Sequence, residues 1–208
     1  MGWVCSRRGA ACCAPTIEVT AVEEDAENEK LHPGHHSIRL KEYDYSAAGF
    51  YFVTICTCEK KCILGAFHEG HIELAALGKA ARECWLAIPQ HFARVHLNEF
   101  VIMPNHLHGI VEIVAIGAQH AAPQLGADSH EKNTAFVKPN SLGAIIRSYK
   151  AAVTRKARRE LAWHGEVWQR NYFERVLRDG KEIADASRYI AENPMMWELD
   201  QENPSRKK

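Results

Sequence analysis

Two apolar β-type runs meet at a two-residue break near the middle of the chain: Phe100-Val101-Ile102-Met103, then Pro104-Asn105, then His106-Leu107-His108-Gly109-Ile110-Val111. Proline stops the first run because its ring fixes φ and it has no N–H to donate to a ladder. A run that halts at a tight turn and restarts predicts a β-hairpin, with strands Val95–Met103 and His106–Val114. Side chains at i and i+2 of a strand share a face. His106 and His108 therefore aim one way, while Leu107 turns into the core. Two imidazoles side by side at the start of a strand make half of a metal site. The ordinary alternative is one hydrogen-bonded core histidine beside one on the surface.

The rest of the chain supplies elements to go with that hairpin. Gly49–Thr57 is rich in aromatic and β-branched residues and reads as a strand. Leu64–Phe67 leads to a turn at His68–Gly70, and His71–Leu74 reads as a short edge strand. Leu77, Ala81, Cys84, Trp85 and Ile88 recur at helical spacing from Leu77 towards His91, and Pro89 ends the pattern. Ser141 reads as an N-cap. Behind it Leu142, Ile145, Ile146, Tyr149 and Val153 form an apolar stripe, with Arg147, Lys150, Arg155 and Arg158 largely off it. Glu166–Leu177 alternates as a strand. Asp179-Gly180 is a turn or cap, and a final helix carries Ile183, Ala186 and Ile190 up to Asn193-Pro194. This order predicts an α+β fold: a ferredoxin-like antiparallel sheet with helices packed mainly on one face. The expected domain runs over 40–198, with a variable loop at about 115–140. Residues 1–39 read as a poorly ordered extension, and 199–208 as a polar tail.

A formal net charge of zero conceals an uneven distribution. Between Ser141 and Arg178 stand nine Lys or Arg side chains against three Glu, whereas the first thirty residues are acidic. A basic helix face is either a phosphate-binding surface or an ordinary solvated one. The seven cysteines form no regular framework, and Cys56, Cys58 and Cys62 do not have a standard zinc spacing. That usage fits a reducing, cytoplasmic setting. No run approaches membrane-spanning length, and the N-terminus lacks the apolar core of a secretion signal. Met1–Ser6 matches a short myristoylation pattern that recurs often by chance. His35-His36 could hold a metal only weakly.

Tyr189 and Asn193 lie four apart on the last helix, hence on one face and about one turn from each other. A phenol there is a possible nucleophile, and the amide oxygen could complete a metal's coordination. The alternative is a core aromatic and a C-cap before Pro194.

Taken together these stretches resemble a known family. Phe100–Ile110 is similar to the core of HUH single-tyrosine transposases. Trp168-Gln169-Arg170-Asn171-Tyr172-Phe173-Glu174, followed by Tyr189-Ile190-Ala191-Glu192-Asn193-Pro194, resembles their REP-associated branch. Pro89-x-His91-Phe92 and Tyr43-Asp44-Tyr45-Ser46 with Gly49-x-Tyr51-Phe52-Val53-Thr54 agree as well. The resemblance spans about Arg39 to Trp197. It departs at Ala191, where many relatives carry another tyrosine.

The resemblance implies that His106, His108 and Asn193 hold a divalent ion, Mg²⁺ or Mn²⁺, and that Tyr189 is the nucleophile. Tyr172 is the rival tyrosine, placed on the preceding strand. The implied reaction is cleavage and transfer of single-stranded or hairpin DNA through a 5′-phosphotyrosine, in transposition or in processing of REP-like repeats. Arg147, Lys150, Arg155, Arg158 and Arg170 would contact the DNA. The implied protein is a cytoplasmic, nucleoid-associated monomer or homodimer with no membrane partner. Two other readings stay open: a domesticated hairpin-binding protein that no longer cuts, and a metal hydrolase unrelated to DNA. The hydrolase reading needs an acid near the histidines, for which Glu112 is the close candidate in sequence.

Overall fold

The computed structural model describes residues 43–115, 138–200 and 202–204. Residues 1–39, most of the 115–140 loop and the end of the tail, with His35, His36 and the Met1–Ser6 pattern, lie outside the described residues.

Among the described residues, six strands and four helices follow one another along the chain. The strands are β1 (Gly49–Cys56), β2 (Gly65–His68), β3 (His71–Leu74), β4 (Val95–Ile102), β5 (His106–Ile113) and β6 (Phe173–Leu177). The helices are α1 (Ala76–Leu86), α2 (Ile88–His91), α3 (Leu142–Leu161) and α4 (Gly180–Glu192). The main sheet has the order β4-β5-β1-β6, and every neighbouring pair is antiparallel. With the β2–β3 hairpin set aside, the sequence β1-α1-β4-β5-α3-β6 and this strand order are those of a ferredoxin-like sheet. The α+β class read from the sequence is the class observed.

Alternation along the central strands sets the two layers. Tyr51, Val53 and Ile55 of β1 and Leu107, Val111 and Ile113 of β5 pack against α1 and α3 in the larger core. Phe52 and Ile110, on the opposite face, pack with Leu177, Ala186 and Ile190 under α4. Helices α1 and α3 thus share one face, as expected, and α4 lies on the other. Gly109 lets the layers close: a Cβ there would stand 2.5 Å from the Trp85 ring. That ring therefore lies directly on β5 between His108 and Ile110.

Local signals explain most element boundaries. Ser141 accepts from the Ala144 N–H at 3.3 Å, and Asp179 from the Glu182 N–H at 2.8 Å. Both are N-caps that satisfy an otherwise orphaned helix donor. Three boundaries differ from the sequence reading. The helix expected over Leu77–His91 divides at Ala87, and Pro89 sits in the first turn of α2, where a missing N–H costs nothing. The expected edge strand His71–Leu74 pairs with β2 instead, as a separate two-stranded sheet. Its turn residues Glu69 and Gly70 have φ of 46° and 85°, the left-handed pair that matches strand twist. The strand expected from Glu166 begins only at Phe173. Before it, Trp168 makes a single bridge to Thr57, and the carbonyls of residues 169–171 turn away to Lys150.

Candidate active site

The turn before β5 and the register across β1 determine where the two histidines stand. Met103 donates its N–H to the His106 carbonyl at 2.8 Å, closing the Pro104-Asn105 turn. Cys56 then lies opposite His106, and Thr54 opposite His108. Both imidazoles are buried on the α4 face, and their Nε2 atoms are 3.0 Å apart.

The outer nitrogens are held by neighbours. Asn105 donates its amide N–H groups to the carbonyls of Glu202, at 2.6 Å, and Lys60, at 3.0 Å. Its Oδ1 is therefore the atom facing His106 Nδ1 at 2.8 Å. An amide oxygen only accepts, so His106 carries its proton on Nδ1 and presents a lone pair at Nε2. His108 Nδ1 meets the Thr54 hydroxyl at 2.8 Å. A hydroxyl can donate or accept, so His108 can take either tautomer. With its proton on Nε2 it donates to His106; with the proton on Nδ1 it presents a second lone pair. Partners of this kind orient metal-binding histidines and raise their basicity.

Burial pushes His108 down to about 3. Burial first, then His108 and Lys60, push His106 well below the ordinary value of 6.5. Both rings are neutral at pH 7, the form that binds metal. Between an unfolded value near 6.5 and the depressed folded values, the unfolded chain binds more protons, so stability falls as pH falls. The melting temperature is therefore expected to hold above pH 6.5 and to decline below it. A folded His106→Gln/His108→Gln variant should show a flatter decline from pH 6.5 to 5. Equal slopes in the two proteins would place the acid sensitivity elsewhere.

α4 brings Tyr189 to this pair. Its hydroxyl is 3.4 Å from His108 Nε2, and its ring lies edge-on to His108 with centroids 5.2 Å apart. Phe52 stacks on His108, centroids at 5.4 Å, and touches the Tyr189 ring as well. Asn193 follows one turn later, its N–H donating to the Tyr189 carbonyl. The Asn193 side chain is buried, and its Oδ1 has no hydrogen-bond partner. A buried amide oxygen left unpaired costs free energy of about 1–3 kcal/mol unless something else satisfies it. A bound cation is one partner that would satisfy it.

Asp200 is a further member that the sequence reading left in the polar tail. Pro194 does not end the chain's helical path. A 3₁₀ segment, Asn193–Leu199, continues from α4 and returns the chain over His106. The Asp200 carboxylate comes within 3.8 Å of His106 Nε2. One ligand atom from each of His106, His108 and Asp200 lies within 4.8 Å of the others. Two imidazole nitrogens and a carboxylate gathered in this way can hold a divalent ion. Glu112 is not that acid: it lies along β5 beside His96, 3.5 Å from its Nδ1.

The basic residues divide into two groups. Arg147, Arg155 and Arg158 are exposed on α3, across the sheet from Tyr189. Arg170 is exposed on the 169–171 loop, which is tied to Cys56 at the histidine end of β1. Lys150 points inward, donating to the carbonyls of Gln169 at 2.8 Å, Arg170 at 3.5 Å and Asn171 at 2.9 Å. It is not an exposed cation of the helix face. Tyr172 precedes β6 rather than lying in it, and its ring centroid is 5.7 Å from the Lys150 ammonium.

No family model matches the chain. An uncharacterised protein of Haemophilus influenzae is 44% identical over 172 residues, covering 80% of this chain and 93% of that protein. A solved REP-associated tyrosine transposase bound to a REP hairpin is 16% identical, with a TM-score of 0.49, over 77% of this chain and 73% of that one.

Proposed function

The chain belongs to one family with the Haemophilus influenzae protein, and we propose that it cleaves and rejoins single-stranded or hairpin DNA with Tyr189 as nucleophile. The observation that carries this reading is a phenol oxygen 3.4 Å from one of two buried imidazole nitrogens that are themselves 3.0 Å apart. The motif resemblance assigns Tyr189 and the two histidines to the same roles.

In this reading His106, His108, Asn193 and Asp200 would hold the divalent ion, which supplies charge to polarise a phosphate oxygen. Tyr189 forms a bond from its oxygen to phosphorus as the bond to the 3′ oxygen breaks. The DNA strand is left with a free 3′ hydroxyl and the protein with a 5′-phosphotyrosine. Because the ester retains the bond, a second 3′ hydroxyl can reverse the step without ATP. Asn105 keeps His106 in the ligand-competent tautomer, and Thr54 can accept from His108 Nδ1 when His108 takes the same one. α4 fixes the distance from nucleophile to phosphate, since Tyr189 and Asn193 are one turn apart on a rigid element. The test is incubation of the full chain with Mg²⁺ or Mn²⁺ and a labelled library of single-stranded hairpins. A protease-sensitive covalent adduct is expected. Binding without an adduct would favour a hairpin-binding protein that does not cut.

α3 provides a separate test of the DNA path. Neutralising Arg147, Arg155 and Arg158 to Gln is expected to lower the logarithmic salt slope of single-strand binding by about 0.7 for each phosphate no longer neutralised, or about 2 for three of them. An unchanged slope would mean that DNA keeps to the Tyr189 side of the sheet and that α3 is a solvated surface.

A further inference from the structure

Lys150 is a lysine with no carboxylate partner among the described residues. It grows from the inner side of α3 and spends its donors on three successive backbone carbonyls. Burial lowers its pKa to about 8, so it remains charged at pH 7. Peptide units are planar and trans, so a carbonyl drawn to one side sends the N–H of the same unit to the other. With the carbonyls of Gln169 and Arg170 turned in to Lys150, the N–H groups of Arg170 and Asn171 turn out. Both residues are exposed, and neither N–H is hydrogen-bonded among the described residues. The Arg170 guanidinium extends from the same loop.

We propose that this loop binds one phosphate of a DNA strand through the Arg170 and Asn171 N–H groups and the Arg170 side chain, with Lys150 as the positioning residue beneath it. Consecutive outward N–H groups over a half-buried cation form an anion-binding concavity, and the arginine adds a charge-assisted fork. The loop's place gives the site its use. Gln169 donates its N–H to the Cys56 carbonyl at 3.0 Å, and Cys56 pairs with His106. Two strand spacings, about 10 Å, therefore separate the loop from the histidines, a reach of up to about three nucleotides. A strand held there would be anchored beside the linkage that Tyr189 attacks. Only the choice of DNA as the source of the phosphate rests on the strand-transfer reading.

The experiment replaces each phosphate of a single-stranded oligonucleotide in turn by an uncharged methylphosphonate and measures affinity for the full chain. One position, within about three nucleotides of the cleaved linkage, is expected to weaken binding roughly tenfold, the scale of a charge-assisted hydrogen bond. In Lys150→Met that position should cease to differ from its neighbours. Should Lys150→Met not fold, the amide resonances of Arg170 and Asn171 in the wild-type chain decide. They should move on adding the oligonucleotide, and less on adding inorganic phosphate at equal concentration. Small equal effects at every position, or unmoved amides with DNA bound, would overturn the site while leaving the strand-transfer reading intact. No DNA binding at all would overturn both.

Discussion

Tyr189→Phe is expected to bind divalent metal and DNA as the wild type does and to form no detectable covalent adduct. The substitution removes one oxygen from a half-buried ring whose packing against Phe52 and His108 does not depend on it. Stability should therefore change by less than about 1 kcal/mol. A phenol ordinarily titrates near 10 and is a weak nucleophile at neutral pH. Its use here relies on position, 3.4 Å from an imidazole nitrogen, and on charge brought to the phosphate. Tyr172→Phe is the control and should still form the adduct, because Tyr172 stands over the Lys150 ammonium at the start of β6. Peptide mapping of the adduct by mass spectrometry identifies the linked residue. A phosphate found on Tyr172 would require the site to be rebuilt around the 169–172 loop.

Loss of both imidazoles should have a comparable effect by a different route. His106→Ala/His108→Ala is expected to lose metal-dependent cleavage altogether while retaining DNA binding by the basic residues. The fold should survive, because two buried polar rings are removed together and neither leaves the other unpaired. Asn105 keeps its amide donors on the carbonyls of Lys60 and Glu202, so the turn before β5 stays tied down. Calorimetric titration with Mn²⁺ measures the loss directly. Single substitutions at Asn193 and Asp200 then rank the oxygen donors. Asn193→Ala should weaken metal binding and slow the adduct, since the orphaned Oδ1 disappears. Asp200→Asn removes a charge within 3.8 Å of His106 and should weaken metal binding about tenfold or more. Full cleavage by a folded double-histidine variant would remove the metal from the reaction.

Which parts of this arrangement were readable along the chain follows from the range of the forces involved. The alternation of His106, Leu107 and His108, the N-caps at Ser141 and Asp179, and the one-turn spacing of Tyr189 and Asn193 are local features. Strand and helix periods impose them whatever the rest of the chain does. Pairing across the sheet is another matter. Thr54 and His108 are 54 residues apart, and Asn105 and Glu202 are 97 apart. No period connects them; only the β1–β5 register and the return of the chain after α4 do so. Asp200 carried no signal beyond being an acid after an apolar helix. Even the α3 stripe was ambiguous, since a basic amphipathic helix looks the same whichever face of the sheet it covers. Lys150 lies off the apolar stripe and reads as exposed, until a loop some twenty residues on folds its carbonyls around the ammonium. Backbone geometry is enough to say which side chains share a face of each strand or helix, and so that much is written in the order of residues. Which of those faces meet is settled in three dimensions, because burial and long-range hydrogen bonds choose among arrangements that local geometry leaves equal.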